Sequence, residues 1–331
     1  MVLMDRRMML KTVGSVAAVA LAGAIVPGRV AYGQDNFLYR IMGNDPADPL
    51  TPALSKFHVG IRKLSEGLYV LLGAGGNIGL FDGPDGAIVI DSGLAERAKD
   101  IAGAIAAVAK GPTAMLLNTH YHFDHTGANE AVHALGYKIV AQDATYKHLS
   151  EKTTIEFMQM TMDPAPAGAL PTMTFDQHLT LHLNGETIRG VHVAPAHTDS
   201  DAYYHFEKAN VVQTGDLFFN GFYPFIDYST RGSLDGMISA EEKLLVLIDE
   251  KTKLIPGHGP VGGKADLQAA HDMLTQVRDT MTPLVKSGKS VEEVVAANPL
   301  ASLDAKWGKG FLDTATFTKL IYMCLTHAAK K

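Results

Sequence analysis

The chain has 331 residues, of which 47% are hydrophobic and 19% are charged, and it has a formal net charge of −6 at pH 7. A chain of this size and composition can bury a full core, and it contains no 20-residue apolar span. Its acidic balance argues against a nuclease of any fold, because phosphate contacts require clustered Lys and Arg. We therefore expect a globular, enzyme-sized protein that acts on a small molecule and does not bind nucleic acid.

Residues 1–33 have the three-part layout of an export signal. Arg6, Arg7 and Lys11 form a basic start, residues 13–26 an apolar stretch, and residues 31–33 a small-residue cleavage site. A membrane anchor is the competing interpretation. Fourteen apolar residues that end at a proline are too short to cross ~30 Å of hydrocarbon comfortably, so we expect no stable anchor.

The arginine pair at positions 6 and 7, followed by apolar residues and a lysine, resembles a twin-arginine export signal. That resemblance implies a periplasmic protein whose cofactor is loaded before export. Removing the signal, with its net charge of +3, would change the formal charge from −6 to −9. After a lead over residues 34–58, the absence of a second linker or repeat predicts one domain over residues 59–331.

The first half of this domain alternates short apolar runs with turns and one helix. Residues 68–72 and 87–90 read as strands separated by Gly-rich turns, and residues 94–110 read as a helix that stops at Gly111-Pro112. Another buried strand is expected over residues 114–118. Asn77, in the first Gly-rich turn, is a candidate for substrate contact.

The second half repeats the theme with strand-like runs between residues 179 and 215, a helix over 234–248 and a strand over 253–255. Helices are expected to fill most of residues 264–330. Two groups of strands with intervening helices indicate two sheets covered by helices on both outer faces. For the Met-rich residues 155–162 we favour a helix that buries its methionines, with a mobile flap as the alternative.

Histidine and aspartate are concentrated directly after the strand at 114–118, where the sequence reads HYHFDH. Imidazole and carboxylate are suitable ligands for zinc and related metals, and side chains at strand ends sit on a rigid frame. Three further candidates follow at later strand ends, each in a short motif. The complete candidate set is His120, His122, Asp124, His125, His197, Asp216 and His258.

The order HYHFDH, a lone His, GD and PGHG, together with IDSG at 90–93, resembles the metallo-β-lactamase superfamily from about Val59 onward. The resemblance implies an αββα four-layer sandwich of two mixed sheets with two metals between them. His120, His122 and His197 would hold the first metal, and Asp124, His125 and His258 the second. Asp216 would bridge the two metals, and Asp91 would support the metal-binding loop.

This likeness implies a dinuclear zinc-dependent hydrolase in which a metal-bridging hydroxide attacks the carbonyl of an ester, lactone, thioester or amide. Asp124 would orient the nucleophile. The aromatic stretch after Asp216 suggests an apolar-walled cleft, in which Tyr223 or Asn220 would donate a hydrogen bond to the developing oxyanion. Most of these aromatics can equally serve only to pack the loop.

Metal identity and substrate stay open at this stage. Zinc is the expected metal, with iron or manganese as alternatives. His122 argues against the oxygen-reducing diiron branch of the superfamily, whereas a mononuclear iron persulfide dioxygenase is an alternative. Asp216 argues against a dedicated β-lactamase, although slow β-lactam cleavage is compatible with such a site. A non-enzymatic metal-binding protein is a third class, and the sequence is silent on oligomeric state.

Overall fold

The computed structural model describes residues 59–328. The predicted export signal and the lead over residues 34–58 lie outside this range. Two mixed sheets and one separate hairpin account for the strands of the described region. Their order along each sheet determines where the strand ends meet.

The first sheet has seven strands, antiparallel at one edge and parallel at the other. Its strands, in spatial order, are β1 (Gly60–Ser65), β2 (Leu68–Leu72), β3 (Ile78–Phe81), β4 (Ala87–Ile90), β5 (Thr113–Leu117), β6 (Lys138–Gln142) and β9 (Met173–Phe175). Every residue of β3 and β4 is buried, as expected for strands covered on both faces.

The second sheet has five strands, of which only the last pair is parallel. They are β10 (His178–Leu183), β11 (Glu186–His192), β12 (Ala202–Phe206), β13 (Val211–Phe219) and β14 (Lys253–His258). All nine residues of β13 are buried. This strand therefore runs through the interior of the protein and carries Asp216 with it.

Nine α-helices lie between or after these strands within the described residues. They are α1 (Ala98–Val108), α2 (Phe123–Thr126), α3 (Asn129–His133), α4 (Asp143–Ser150), α5 (Leu234–Leu247), α6 (Lys264–Lys286), α7 (Val291–Ala296), α8 (Asp304–Trp307) and α9 (Thr314–Ala328). None of the described helices has the length and apolarity needed to span a bilayer.

Three apolar clusters define the layers. One packs α1 and α3 against the outer face of the first sheet, and another packs α5, α6 and α9 against the outer face of the second. The third lies between the sheets, where the rings of Phe81 and Phe206 meet edge to face at 5.4 Å. The fold is thus the predicted αββα arrangement of two mixed sheets.

Several predicted elements are confirmed within one or two residues, including β2, β4 and α5. The helix predicted over residues 155–162 is wrong. Strands β7 (Thr153–Ile155) and β8 (Met160–Met162) instead form an antiparallel hairpin closed by a four-residue turn. Gln159 adopts a left-handed conformation with φ of 51° in that turn, and the hydroxyls of Thr154 and Thr161 pair across the strands at 2.9 Å.

The buried face of α5 contains one acidic side chain, Glu241, which is only 1% exposed. Its Oε2 atom has no hydrogen-bond partner among the described residues. Burial raises the pKa of this carboxyl well above its ordinary value of 4.5. The ionised form is thus disfavoured in the folded state, and folding stability falls as pH rises above that value.

We expect Glu241→Gln to raise the melting temperature at pH 7 and to flatten the decline in stability between pH 5 and pH 8. The amide retains the shape of the side chain but carries no charge to bury. Thermal unfolding of both proteins across this pH range measures the effect, with the exposed Glu242→Gln on the same helix as control. An equal or lower melting temperature for Glu241→Gln at pH 7 would contradict the prediction.

Candidate metal centre

The loop after β5 and the short helix α2 carry four of the predicted ligands. His120 and His122 precede α2, and Asp124 and His125 lie in its first turn. The backbone N–H groups of His125 and Thr126 both donate to the carbonyl of His122. This tight turn allows one six-residue segment to direct side chains to two neighbouring positions.

Asp91, which directly follows β4, holds this loop in position through its carboxylate. It has a left-handed conformation with φ of 63°, and its carboxylate accepts hydrogen bonds from the Thr119 N–H at 2.7 Å and the Thr119 hydroxyl at 2.8 Å. The same carboxylate lies 2.8 Å from His125 Nδ1. It therefore leaves His125 Nε2 directed at the cluster, as expected of a group that supports the loop.

His197 lies on the loop between β11 and β12, and two hydrogen bonds orient it. Its backbone N–H donates to Asp201 at 2.8 Å, and its Nδ1 donates to the Phe225 carbonyl at 2.8 Å. These bonds determine which ring nitrogen remains free. His197 Nε2 points into the cluster, where it lies 2.8 Å from His122 Nδ1.

Asp216 and His258 are brought together by the parallel pairing of β13 with β14. The backbone of Gly257 lies so close to Asp216 that a Cβ atom at this position would be 1.9 Å from Asp216 Oδ1. Asn77 braces the loop around His258, because its side-chain amide donates to the carbonyls of Pro256 and Gly259 at 2.9 Å each. The side-chain nitrogen of Asn77 is thus engaged in structural contacts, whereas its Oδ1 atom has no hydrogen-bond partner among the described residues.

All seven predicted side chains converge, in two groups. One contains His120, His122, His197 and Asp216, and the other contains Asp124, His125 and His258. The Asp216 carboxylate faces both groups. Its Oδ2 atom lies 3.3 Å from His197 Nε2, and its Oδ1 atom lies 3.0 Å from His125 Nε2.

The chemistry of this cluster suits two divalent cations. His120 Nε2 is buried without a hydrogen-bond partner among the described residues, and the facing nitrogens of His125 and His258 are 3.3 Å apart. A buried imidazole nitrogen without a partner, beside further imidazoles and carboxylates directed at the same space, matches the ligand preferences of zinc. The residues present therefore fit a pair of such ions.

The electrostatics point in the same direction. Burial raises the pKa of Asp216, but the neighbouring imidazoles, led by His125 and His258, outweigh it and hold that pKa well below its usual range. Burial also raises the pKa of Asp124, and His125 and His258 bring it down to about 2. Burial lowers the pKa of His120 well below its usual range. Burial lowers the pKa of His125 and His258, but the nearby carboxylates, led by Asp216, outweigh it and raise both. Ionised carboxylates and neutral imidazoles are the forms that bind metals, so metal binding here would release protons from His125 and His258.

Sequence reasoning missed Asp227, which is 1% exposed and contacts His122 from behind. Its Oδ2 atom lies 3.2 Å from His122 Nε2 and accepts hydrogen bonds from the Tyr121 hydroxyl and, at 3.0 Å, from the Thr230 hydroxyl. Ser229 donates to the other carboxylate oxygen through its hydroxyl. The sequence feature that could have indicated it is the position of this aspartate directly after the aromatic run FYPFI.

The side chains of the two other predicted catalytic residues make no hydrogen bond to either group, although the backbone N–H of Asn220 donates to the His258 carbonyl at 3.0 Å. Tyr223 is buried and its ring stacks on Phe317 at 4.1 Å, while the Asn220 amide donates to the Pro260 carbonyl at 2.9 Å. A cavity of about 160 Å³ opens beside the cluster, and neither side chain lines it. Its lining residues are His122, Phe123, Asp124, Ile155, Met158, Asp216, Phe219, Phe225, His258 and Phe311.

Comparison with known proteins agrees with this geometry. The sequence model of the metallo-beta-lactamase superfamily matches residues 72–260, and the chain belongs to that family. A curated relative, the probable metallo-hydrolase YqgX of Bacillus subtilis (strain 168), is 30% identical over 154 residues, which cover 45% of this chain and 69% of the relative.

Solved structures show the same fold at low identity. The metallo-beta-lactamase from Pontibacter korlensis is 18% identical with a TM-score of 0.54, and the match covers 66% of this chain and 99% of that one. The stereoselective inverting sec-alkylsulfatase Pisa1 from Pseudomonas sp. is 16% identical with a TM-score of 0.58, over 86% of this chain and 54% of that one.

We expect Asp227→Asn to weaken zinc binding by about 10- to 100-fold, because a carboxylate behind a ligating imidazole fixes its orientation and increases its basicity. Competition with a chromogenic chelator measures the affinity. Asp199→Asn is the matched control, since Asp199 pairs with His148 at 2.7 Å outside the cluster. Unchanged zinc affinity in a folded Asp227→Asn protein would rule out this positioning role.

Proposed function

We propose that this protein is a two-zinc hydrolase that cleaves esters, lactones, thioesters or amides. The observation that carries the proposal is the Asp216 carboxylate, whose two oxygens face two separate groups of imidazole nitrogens. A structural zinc site usually closes with four protein ligands around one ion, whereas a carboxylate shared between two groups is suited to a hydrolytic pair. Membership of a superfamily that contains metallo-hydrolases supports the same reading.

His120, His122 and His197 would hold one zinc and Asp124, His125 and His258 the other, with Asp216 shared. Two such ions lower the pKa of a water between them and polarise a carbonyl oxygen.

Asp124 is suited to handling the proton of the attacking water. Its side chain is 21% exposed, the most of the three members in its group, and its Oδ2 atom lies 3.1 Å from His258 Nε2. A carboxylate at the mouth of the cluster accepts a hydrogen bond from the nucleophile and thereby orients it. The apolar cavity wall beside it limits the access of bulk water to the reacting carbonyl.

Elemental analysis of the protein starting at Gln34 should give about two zinc ions per chain, with hydrolysis abolished by a chelator and restored by zinc. Asp124→Ala and His122→Ala should each reduce kcat/KM by about two orders of magnitude or more in a folded protein, because each removes a ligand. The exposed strand residue His182 supplies the control His182→Ala, which should retain full activity.

The substrate panel separates the alternatives. Small esters, lactones and thioesters should be hydrolysed faster than nitrocefin or a carbapenem. Preferential turnover of the two β-lactams would support a β-lactamase instead, and one bound iron without hydrolysis would support a persulfide dioxygenase. Near wild-type turnover by either Asp124→Ala or His122→Ala, with metal content verified, would refute the proposed mechanism.

We also propose that the protein is exported to the periplasm through a twin-arginine-type signal, on the basis of the sequence of residues 1–33 alone. Replacing Arg6 and Arg7 together by lysine keeps the charge, so a charge-driven signal would tolerate the change. A twin-arginine signal would not, and the precursor should accumulate in the cytoplasm. Cell fractionation measures this, and unchanged export of the double variant would overturn the proposal.

A further inference from the structure

The cavity beside the cluster has one polar end and an otherwise apolar wall. The polar end is formed by the proposed ligands, whereas six apolar side chains form the wall: Phe123, Ile155, Met158, Phe219, Phe225 and Phe311. These residues come from α2, the β7–β8 hairpin, the end of β13 and the stretch after it, and the segment between α8 and α9. The wall is therefore assembled from distant parts of the chain at the place where a bound substrate must lie.

The size and polarity of this space restrict its occupant. A dry apolar cavity of roughly 150 Å³ accommodates a benzene ring. Because metal ions at the polar end would fill part of the space of about 160 Å³, it holds a group of at most about six carbons. A charged group placed against this wall would lose its hydration without gaining a hydrogen bond, which is strongly unfavourable. An apolar group of the same size gains about fourfold in affinity for each buried methylene.

Several contacts to the rest of the fold hold the β7–β8 hairpin of this wall in place. Ile155 is fully buried, and Met158 lies in the turn with its side chain at the cavity. The neighbouring ring of Phe157 packs near Phe225 at 6.1 Å. The Glu156 N–H donates to the Ser229 hydroxyl at 3.3 Å, which in turn donates to Asp227 behind His122.

We propose that the protein selects uncharged substrates that carry an apolar group of up to about six carbons next to the scissile carbonyl, with Met158 as a specificity-determining residue. This inference rests on the proposed hydrolase function and specifies its substrate class. Met158 lies in a turn whose backbone donates a hydrogen bond to Ser229. The turn therefore presents the methionine side chain, which adapts to ligand shape, from a fixed position.

The test compares two 4-nitrophenyl esters of equal length, the hexanoate and the adipate monoester, in which a carboxylate replaces the terminal methyl. Zinc-loaded wild-type protein should favour the hexanoate in kcat/KM by about 100-fold or more, after correction for spontaneous hydrolysis. Met158→Lys should narrow this ratio by about tenfold or more, because its ammonium group would neutralise the carboxylate. Met160→Lys, on the same hairpin but away from the cavity, should leave the ratio unchanged.

A binding measurement keeps the inference separate from catalysis. Ligand-observed NMR with benzyl alcohol, an inert apolar probe, should show binding to zinc-loaded wild type and to Met160→Lys, and about tenfold weaker binding to Met158→Lys. If no ester is hydrolysed while benzyl alcohol binding still depends on Met158, the hydrolase proposal fails and the apolar pocket stands.

If both esters are hydrolysed at similar rates and Met158→Lys binds benzyl alcohol as tightly as wild type, the pocket inference is overturned and the hydrolase proposal stands. A ratio that changes equally in Met158→Lys and Met160→Lys would also overturn it. Thermal unfolding of each variant verifies that the hairpin substitutions leave the protein folded.

Discussion

The arrangement of the site depends on one buried carboxylate, that of Asp216, which is held among four imidazole rings in the interior of the protein. An ionised carboxylate inside a protein requires compensation, and the neighbouring imidazoles supply it, since Asp216 and the other nearby carboxylates raise the pKa of His125 and His258 despite their burial. Divalent cations would take over this role, because each brings two positive charges and accepts neutral imidazoles as ligands. The cluster is thus suited to exchanging protons for metal ions.

The remainder of the structure holds this arrangement in register. Asp91 orients His125, Asp201 and the Phe225 carbonyl orient His197, and Asp227 contacts His122. These supporting groups come from three loops, because Asp91 follows β4, Asp201 lies between β11 and β12, and Phe225 and Asp227 both follow β13. The αββα layering places those loops together, because each follows a strand that ends at one edge of the two sheets. The ligands are therefore fixed by hydrogen bonds as well as by their position in the chain.

The sequence predicted which seven side chains converge better than it predicted what surrounds them. The seven converging residues carry a distinctive order and spacing, and short buried strands such as β4 have an unambiguous apolar pattern. The hairpin was missed because Ile155, Met158 and Met162 also satisfy a helical spacing, although Met160 and Met162 alternate as strand residues do. The contact of Asp227 with His122 was not predicted, because it depends on a hydrogen-bond network with Tyr121, Ser229 and Thr230 that only the folded structure brings together. The position of Tyr223 likewise depends on packing between distant residues, because its ring stacks on Phe317.

The network around Asp227 joins substrate recognition to the metal centre. One carboxylate oxygen contacts His122, and the other receives the Ser229 hydroxyl, which also accepts the backbone N–H of Glu156 in the hairpin turn. A substrate group that presses on Met158 therefore acts on a turn that is two hydrogen bonds away from the carboxylate behind His122. Because buried hydrogen bonds in a chain depend on one another, movement of the hairpin and the orientation of His122 are not independent. The wall proposed to select the apolar group is thereby linked by hydrogen bonds to the cluster that would cleave the adjacent bond.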